Sequence, residues 1–309
     1  ANSNIAYSHN SIWLNIMSLF YLTKSNINYL TMPTFLIYLV YVIYFIKKNL
    51  ESNKKSISEY FILISLFYLI LKFTRLSEFG NDLPSLLFSI LSIFYFIKFS
   101  EINKWSQKYF YFFCCVSFAL FSVLIKLSCI PILLLPLILF FKNYKKLRNE
   151  IINVNYLFLF LLVFIFYLQQ FIYTSCIIFP SSLTCINTEW FSDDFLILRE
   201  NLELTNKSYY ASNNLLSKED YLSKLNWFSF WLEINYQNIL ENILTISLPI
   251  LLFIFLLNKE KNKLSLYFEN KRLFILFIFL SFAFWLKFSP VYRFSIPYFL
   301  SLFLILSLN

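Results

Sequence analysis

Glycine is almost absent from this sequence: there is one in 309 residues, where an average usage of about 7% would give roughly 22. That scarcity excludes a glycine-rich phosphate-binding loop and the dinucleotide-binding fingerprint, and it excludes GxxxG pairing between membrane helices. Histidine is also single, at His9, so a multi-histidine metal site is excluded and a Ser–His or Cys–His catalytic pair is disfavoured. Charged residues make up 14% of the chain, against about 25% in soluble domains.

Apolar residues, by contrast, are abundant. They form 59% of the chain, which has a mean hydropathy of +0.64, whereas soluble domains contain about 45–50%. A soluble fold cannot bury so much apolar surface, so we expect lipid to cover part of it. The net charge of +9 comes from basic residues in short clusters between apolar runs, a pattern that indicates membrane topology and not a nucleic-acid partner.

Long apolar runs predict an all-α integral membrane protein with about nine transmembrane helices. Several runs are shorter than the usual span of about 20 residues, and tilt, snorkelling lysines and flanking tyrosines can complete them. Around Lys126–Pro131 two alternatives stay open, either two spans joined by a tight turn or one span followed by a re-entrant segment. The predicted spans are Leu30–Ile46, Ile57–Leu71, Leu83–Ile97, Tyr109–Ile125, Leu127–Phe141, Asn153–Tyr173, Ile243–Leu257, Arg272–Leu286 and Val291–Leu308.

The distribution of charge predicts the orientation of these spans. Sixteen of the 26 Lys and Arg residues, but only six of the 17 Asp and Glu residues, lie in one set of alternate loops, which the positive-inside rule places in the cytoplasm. We therefore expect a multi-pass protein of the bacterial inner membrane, with the N-terminal segment and a large periplasmic loop outside. The chain starts at Ala1 without Met or a signal peptide, so we expect a fragment of a longer polytopic protein.

The same pattern predicts four regions along the chain. Residues 1–29 are the tail of an outer loop that contains an amphipathic helix, and residues 30–173 contain six transmembrane helices. Residues 174–242 form the outer-loop subdomain, and residues 243–309 contain the last three transmembrane helices.

The loop at residues 72–84 is the first candidate site, because charged residues and the single glycine converge there. Asp82 or Glu78 could act as a general base or metal ligand, and Arg75 could hold an anion. The alternative is an ordinary hydrophilic turn in which Gly80 supplies a positive φ angle. In a chain so poor in glycine, this placement suggests that the backbone requires glycine at Gly80.

A second candidate site consists of basic residues at the predicted outer ends of spans, where the positive-inside rule should deplete them. Individually they are explained by snorkelling, but a ring of such residues around an outer cavity would suit the phosphate or pyrophosphate group of a lipid. Pro290 and Pro297 would break the helix there and could aim Arg293 into that cavity. The residues are Lys72, Arg75, Lys126, Lys287 and Arg293.

Cysteines supply the third feature. Cys176 and Cys185 lie in the predicted outer loop with eight residues between them, and an oxidising compartment favours a disulfide between them. Cys114 and Cys115 are expected to pack inside a span, and Cys129 is expected near the outer face without a partner.

Several motifs together resemble those of a family of uncharacterised bacterial polytopic membrane proteins. Residues 75–84, Arg-Leu-Ser-Glu-Phe-Gly-Asn-Asp-Leu-Pro, are similar to the family's Arg-Leu-x-Glu-Tyr-Gly-x-Asp-x-Pro. Residues 126–131 resemble its Lys-x-Ser-x-x-Pro, and residues 2–13 resemble the end of its first outer loop, although Ala6 or Tyr7 stands near the place of an Arg. Cys176 with Cys185, and Pro290 with Arg293-Phe294, follow in family order.

This family resembles, distantly, the GT-C glycosyltransferases, polytopic enzymes that take sugar from a polyprenyl-phosphate donor at the outer membrane face. The resemblance implies that an acidic residue upstream of this chain takes part in catalysis. Combined with the candidate sites, it predicts that Asp82 or Glu78 deprotonates an acceptor hydroxyl while Arg75, Lys126 and Arg293 stabilise the departing lipid phosphate.

The predicted partners are the lipid bilayer and a lipid-linked sugar donor. The sequence identifies no cofactor, although a divalent cation is compatible with a phosphate leaving group. Two other functions stay open, a transporter or flippase for a lipid-linked substrate and a non-catalytic membrane scaffold.

Overall fold

The computed structural model describes residues 11–20, 30–50, 56–73, 80–149, 153–178, 182–186, 188, 194–212, 216–258, 269–288 and 290–307. Within these ranges the regular structure is helical, apart from one isolated antiparallel bridge between Cys176 and Cys185. The α-helices are α1 (Ile12–Ser18), α2 (Met32–Leu50), α3 (Ile57–Leu71), α4 (Asp82–Glu101), α5 (Trp105–Ile125), α6 (Leu134–Lys142), α7 (Tyr144–Leu147), α8 (Val154–Thr174), α9 (Asp194–Asn206), α10 (Lys218–Leu222), α11 (Trp227–Asn258), α12 (Lys271–Phe288) and α13 (Ile296–Ser307).

The all-helical architecture was predicted from the apolar runs, and a helix occupies each of them. The run Ile57–Leu71 coincides with α3, whereas the run Ile243–Leu257 lies inside the 32-residue helix α11. Among the described residues, α4, α5 and α8 are long and apolar enough to cross a membrane, and three further apolar segments are shorter. The number of nine spans stays a prediction.

Helix α4 lies at the centre of the helical bundle, and α8 lies at its edge. Most of α4 is buried because α2, α3, α5, α6 and α13 pack around it. Most of α8 is exposed instead, with Phe158 64% and Phe160 68% accessible. An apolar helix whose surface faces away from the protein is typical of a membrane span, where lipid covers it.

Serine takes the place of glycine where α4 and α5 approach each other. The Ser89 and Ser122 hydroxyls are hydrogen-bonded at 2.7 Å, and Ser92 Oγ donates to the Cys115 carbonyl oxygen at 3.1 Å. Ala119 of α5 is fully buried in the same core. Small residues allow two helices to pack closely, so a chain that lacks GxxxG motifs builds this contact from Ser and Ala.

Polar side chains join the helix ends at the Glu101 end of the bundle. Ser58 Oγ donates to Glu101 Oε2 at 2.7 Å, which connects α3 to α4. Asn270 Nδ2 donates to Ser100 Oγ at 2.6 Å and Asn270 Oδ1 accepts from Lys142 Nζ at 2.7 Å, which connects α12 to α4 and α6. Because α4 has 20 residues at about 1.5 Å each, this end lies about 30 Å from Asp82.

The chain turns back after α5, at Lys126. This residue has an extended conformation (φ −151°, ψ 116°), and the 3-10 helix Leu127–Leu133 and α6 follow it. Both returning segments pack against α5. Pro131 lies within the 3-10 helix. Because proline has no backbone N–H, a regular α-helix would lose a hydrogen bond at this position.

The prediction that Gly80 needs a positive φ angle is wrong. No described glycine has a positive φ, and a Cβ atom added at Gly80 would meet nothing within 4 Å. Left-handed backbone occurs instead at Ser175, Ser208 and Leu225, with φ angles of 57°, 64° and 65°. The presence of a glycine at a position in this chain therefore does not predict a positive φ angle there.

The N-terminal helix α1 packs on the bundle through one face. Trp13 and Met17, four positions apart, are both buried, and Trp13 Nε1 donates to Thr34 Oγ1 of α2 at 3.1 Å. Ser11 Oγ donates to the Ile125 carbonyl oxygen at 2.9 Å, which places the start of α1 beside the end of α5. His9 lies outside the described residues.

The segment between α8 and α11 contains a disulfide and forms a small, mainly aromatic core with the first turns of α11. A disulfide joins Cys176 to Cys185, while Cys114, Cys115 and Cys129 are buried free thiols. The core contacts Trp285 of α12, so the segment rests on the bundle. Its buried members are Leu204, Tyr221, Trp227 and Trp231.

Candidate functional site

Asp82, Lys126 and Arg293 meet at one end of the bundle. Asp82 is the first residue of α4; its Oδ1 atom accepts a hydrogen bond from Lys126 Nζ, and Arg293 Nη1 lies 3.0 Å from its Oδ2 atom. We call these three residues, together with the ring of Phe294, the Asp82 cluster. Two cations and one carboxylate leave the cluster with an excess positive charge.

The start of α4 holds Asp82 in place. The backbone N–H of Ser85 donates to the Asn81 carbonyl oxygen at 3.1 Å, and Ser85 Oγ donates to the Asp82 carbonyl oxygen at 2.9 Å. Pro84 fits in this first turn because the N–H group that it lacks would have no partner within the helix. The positive end of the helix dipole also favours the Asp82 carboxylate.

Lys126 enters the cluster from the break between α5 and the 3-10 helix. Its ammonium group lies 3.4 Å from the centroid of the Phe294 ring, a distance at which a cation–π interaction is favourable. Burial lowers the pKa of Lys126, while the Asp82 carboxylate acts in the opposite direction and favours the charged form. The Lys126 side chain is 20% exposed and that of Asp82 25%, so water screens this pair only in part.

Arg293 is carried by the 3-10 helix Tyr292–Ser295, which lies between the two prolines predicted to break the helix. Trp285 Nε1 donates to the Val291 carbonyl oxygen at 2.8 Å, which ties the preceding turn to α12. The N–H of Phe294 donates to the same oxygen at 2.9 Å. With three residues per turn, Tyr292 and Ser295 share one face, while Arg293 and Phe294 face other directions.

A small apolar cleft, with room of about 20 Å³, lies on the Tyr292 face of this 3-10 helix, between α11, α12 and α13. Apart from the phenol of Tyr292, the Ser295 hydroxyl is the one side-chain hydroxyl group among the lining residues. It donates to the Tyr292 carbonyl oxygen at 2.7 Å. The cleft and Arg293 therefore lie on different faces of one turn. The lining residues are Ile239, Ile243, Trp285, Tyr292, Ser295, Ile296 and Phe299.

The structure does not bring all the predicted residues into the cluster. Lys72 follows the last residue of α3 and is half-buried, and Lys287 is exposed, with its ammonium group 5.3 Å from the Phe288 ring. Within the described ranges, neither lysine makes a hydrogen bond or an ion pair with Asp82. Arg75 and Glu78 lie outside the described residues.

Several residues of the site were missed by sequence reasoning. Phe294 is one of 40 phenylalanines, and nothing in the pattern marks it as the ring beneath Lys126. Trp285 lies inside the predicted span Arg272–Leu286 and received no role, although its indole N–H holds the turn before Arg293. Asn81 and Ser128 stood inside the quoted motifs, but their side chains received no role.

The described residues contain no group of three or more His, Cys, Asp and Glu side chains that could hold a metal ion. In the Asp82 cluster one carboxylate is available, and it is paired with two cations. A divalent cation at this position would therefore need ligands from elsewhere.

The comparisons with known proteins identify the family without indicating an activity. No curated protein and no solved structure matches the chain. A family model described as a domain of unknown function (DUF8201) matches residues 1–300, which include the whole Asp82 cluster. The chain therefore belongs to the DUF8201 family.

Proposed function

We propose that this chain is a membrane-embedded, glycosyltransferase-like protein that uses a sugar linked to a polyprenyl phosphate. Its site of action would be the outer face of the bacterial inner membrane, in the assembly of cell-surface glycans. The observation that carries this proposal is the Asp82 cluster, in which a carboxylate lies between two cations.

The charges of the cluster suit a phosphate ester. Lys126 and Arg293 together carry two positive charges, and a phosphate could replace the single Asp82 carboxylate as their partner. The arginine fork binds phosphate through two parallel hydrogen bonds, and the lysine acts as a point charge. Partial burial of both side chains strengthens this attraction over its value in open water.

The residues of the cluster can perform a glycosyl transfer when the phosphate of the donor takes the place of Asp82. The released Asp82 carboxylate then accepts the proton of an acceptor hydroxyl, whose oxygen bonds to the anomeric carbon of the sugar. The bond from that carbon to the phosphate oxygen breaks, and the electron pair stays on the lipid phosphate. Lys126 and Arg293 stabilise the negative charge of this leaving group.

Two features support an outer location. Among the described basic residues, Lys98 lies in the last turn of α4, and Lys142 and Lys271 lie beside Asn270 at the same Glu101 end, about 30 Å from Asp82; the positive-inside rule places such basic ends in the cytoplasm. The Cys176–Cys185 disulfide suits an oxidising compartment, which is found outside the cytoplasm.

The experiment uses the full-length protein in its native host after deletion of the chromosomal copy. We expect the wild-type gene to restore the surface glycan and Asp82→Asn and Arg293→Ala to fail at normal expression. Asp220→Asn is the matched control, because Asp220 is an exposed residue of α10. Membranes from each strain are also incubated with a labelled polyprenyl-phosphate hexose, and released polyprenyl phosphate is measured.

Normal glycan and normal phosphate release in both cluster variants would refute the proposal. Movement of the labelled lipid across the membrane without release of polyprenyl phosphate would also refute it, and would favour a flippase.

A further inference from the structure

Two buried oxygen atoms beside the Asp82 cluster have no hydrogen-bond partner among the described residues. They are Asn81 Oδ1 and Ser128 Oγ, and both are closed to solvent. Buried polar atoms are nearly always hydrogen-bonded, because an unmade bond leaves the cost of removing the atom from water uncompensated. Such an atom in a native fold therefore calls for a partner that the described residues do not provide.

Asn81 occupies a helix-capping position at which Pro84 removes one of the two usual donors. A capping side chain accepts from the backbone N–H of the second or third helical residue, and the third residue of α4 is Pro84, which has no N–H. Asn81 also has helical angles (φ −89°, ψ −6°) and makes no side-chain capping bond. Its amide oxygen is thus left over at the start of α4, one residue before Asp82.

Ser128 differs from three other serines of the bundle. Ser65, Ser89 and Ser100 each donate to the carbonyl oxygen four residues earlier, which satisfies their hydroxyls. The Ile125 carbonyl oxygen, three residues before Ser128, accepts from Ser11 Oγ instead. The Ser128 hydroxyl is thus left without a partner in the described structure, two residues after Lys126.

Asn81 precedes Asp82 by one residue and Ser128 follows Lys126 by two, and the start of α4 that carries Asn81 belongs to a helix in contact with the 3-10 helix Leu127–Leu133. We infer that Asn81 and Ser128 bind hydroxyl groups of the ligand whose phosphate Lys126 and Arg293 hold, an inference that rests on the proposed function. Asn81 Oδ1 accepts a hydrogen bond from one hydroxyl, and Ser128 Oγ donates to or accepts from another. The site thereby selects a phosphate that carries a polyhydroxylated group, such as a glycosyl phosphate.

This role predicts opposite effects on stability and on binding. Because neither atom has a partner among the described residues, replacing either residue by Ala should leave thermal stability unchanged or raise it. The same replacement should weaken the binding of a hydroxylated ligand, because a ligand hydroxyl then loses its partner. A purely structural role for these side chains would instead lower the thermal stability.

The test uses the full-length protein in lipid nanodiscs and two short, water-soluble probes, citronellyl phosphate and citronellyl phosphoglucose. We expect the wild type to bind the phosphoglucose probe more tightly. Asn81→Ala and Ser128→Ala should each weaken that binding by about five- to tenfold, the value of one hydrogen bond, and should leave citronellyl phosphate binding unchanged. Ser281→Ala is the matched control, because Ser281 Oγ is also buried and unpartnered among the described residues but lies within α12.

The outcomes separate the inference from the proposed function. If both variants keep the wild-type preference for the phosphoglucose, the inference is overturned and the role of Lys126 and Arg293 is untouched. If the variants lose both probes together with thermal stability, the side chains are structural and the inference is overturned. If the wild type binds neither probe, the proposed function and the inference both fail.

Discussion

Neutralising Asp82 should expose how strongly the cluster depends on its single carboxylate. The Asp82→Asn replacement keeps the size of the side chain and removes the charge that Lys126 and Arg293 share. Two unit charges about 3 Å apart attract by about 5 kcal/mol at an effective dielectric constant of 20, and desolvation offsets much of this. The side chains of Lys126, Asp82 and Arg293 are 20%, 25% and 39% exposed, so water screens their charges further. We therefore expect the free energy of unfolding to fall by about 2 kcal/mol.

The assay is thermal unfolding of the full-length protein in detergent at neutral pH, where about 2 kcal/mol corresponds to a fall in Tm of about 5 °C. The matched control is Glu269→Gln, which breaks the Lys142–Glu269 ion pair. That pair is also close, at 2.7 Å, but its side chains are 34% and 40% exposed, so its loss should cost less than about 1 kcal/mol. A double-mutant cycle with Lys126→Met then measures the coupling between Asp82 and Lys126.

The pH dependence provides a second check on Asp82→Asn. Burial lowers the pKa of Lys126, and removing the Asp82 carboxylate should lower it further. The unfolded chain then binds more protons than the folded variant at pH values between the folded pKa and about 10.4, so stability rises with pH there. The deficit of the variant should therefore be complete at neutral pH and shrink as pH rises through its folded Lys126 pKa.

The reasoning would be refuted by an Asp82→Asn protein that loses no more stability than Glu269→Gln, or by strictly additive effects of Asp82→Asn and Lys126→Met. Either result would mean that the contacts of Asp82 are those of an ordinary surface turn.

Three further predictions concern the residues around the cluster. Gly80→Ala should raise the free energy of unfolding by about 0.4–1 kcal/mol and keep full glycan restoration, because an added methyl group meets open space; a loss of function at normal expression would contradict this. Trp285→Phe should keep the ring packing but lose the hydrogen bond to the Val291 carbonyl oxygen, which is worth about 1 kcal/mol, so Tm should drop by only a few degrees. Polyprenyl phosphate release should fall, and unchanged release would show that the turn holds Arg293 without this hydrogen bond. The double replacement Cys176→Ser with Cys185→Ser should lower the free energy of unfolding by about 2–3 kcal/mol, measured by chemical denaturation, and unchanged stability would mean that the loop is held by other contacts.

The helices could be predicted from the sequence because their positions depend on apolar composition. For an apolar run such as Ile57–Leu71, a helix is the structure that both buries the side chains and pairs the backbone N–H and C=O groups in hydrogen bonds. Helix α3 has the bounds of that run. The sequence did not predict which type of helix the chain forms directly after Lys126. Pro131 and local packing produce a 3-10 helix there, and hydropathy does not distinguish it from an α-helix.

The candidate site was predictable in part. The convergence of charges in the loop at residues 72–84 marked Asp82, basic residues at predicted outer span ends marked Lys126 and Arg293, and the structure brings these three together. Lys287 met the same criterion but is exposed beside Phe288, because the direction in which a side chain points depends on the turn that carries it. Gly80 was misjudged for a related reason: glycine permits a positive φ angle but does not require one.

The sequence by itself determined that this chain is helical and rich in apolar helices, because composition and periodicity act within each segment. It also determined which charges are costly enough to need partners, since an ionised group near apolar surface is expensive wherever it lies. Only the tertiary structure decided that Asp82 pairs with two cations, that Phe294 lies beneath Lys126, and that Asn81 and Ser128 keep unpartnered oxygens. These facts depend on distances between segments far apart in the chain, which the packing of α4, α5 and α13 sets and which no local pattern records.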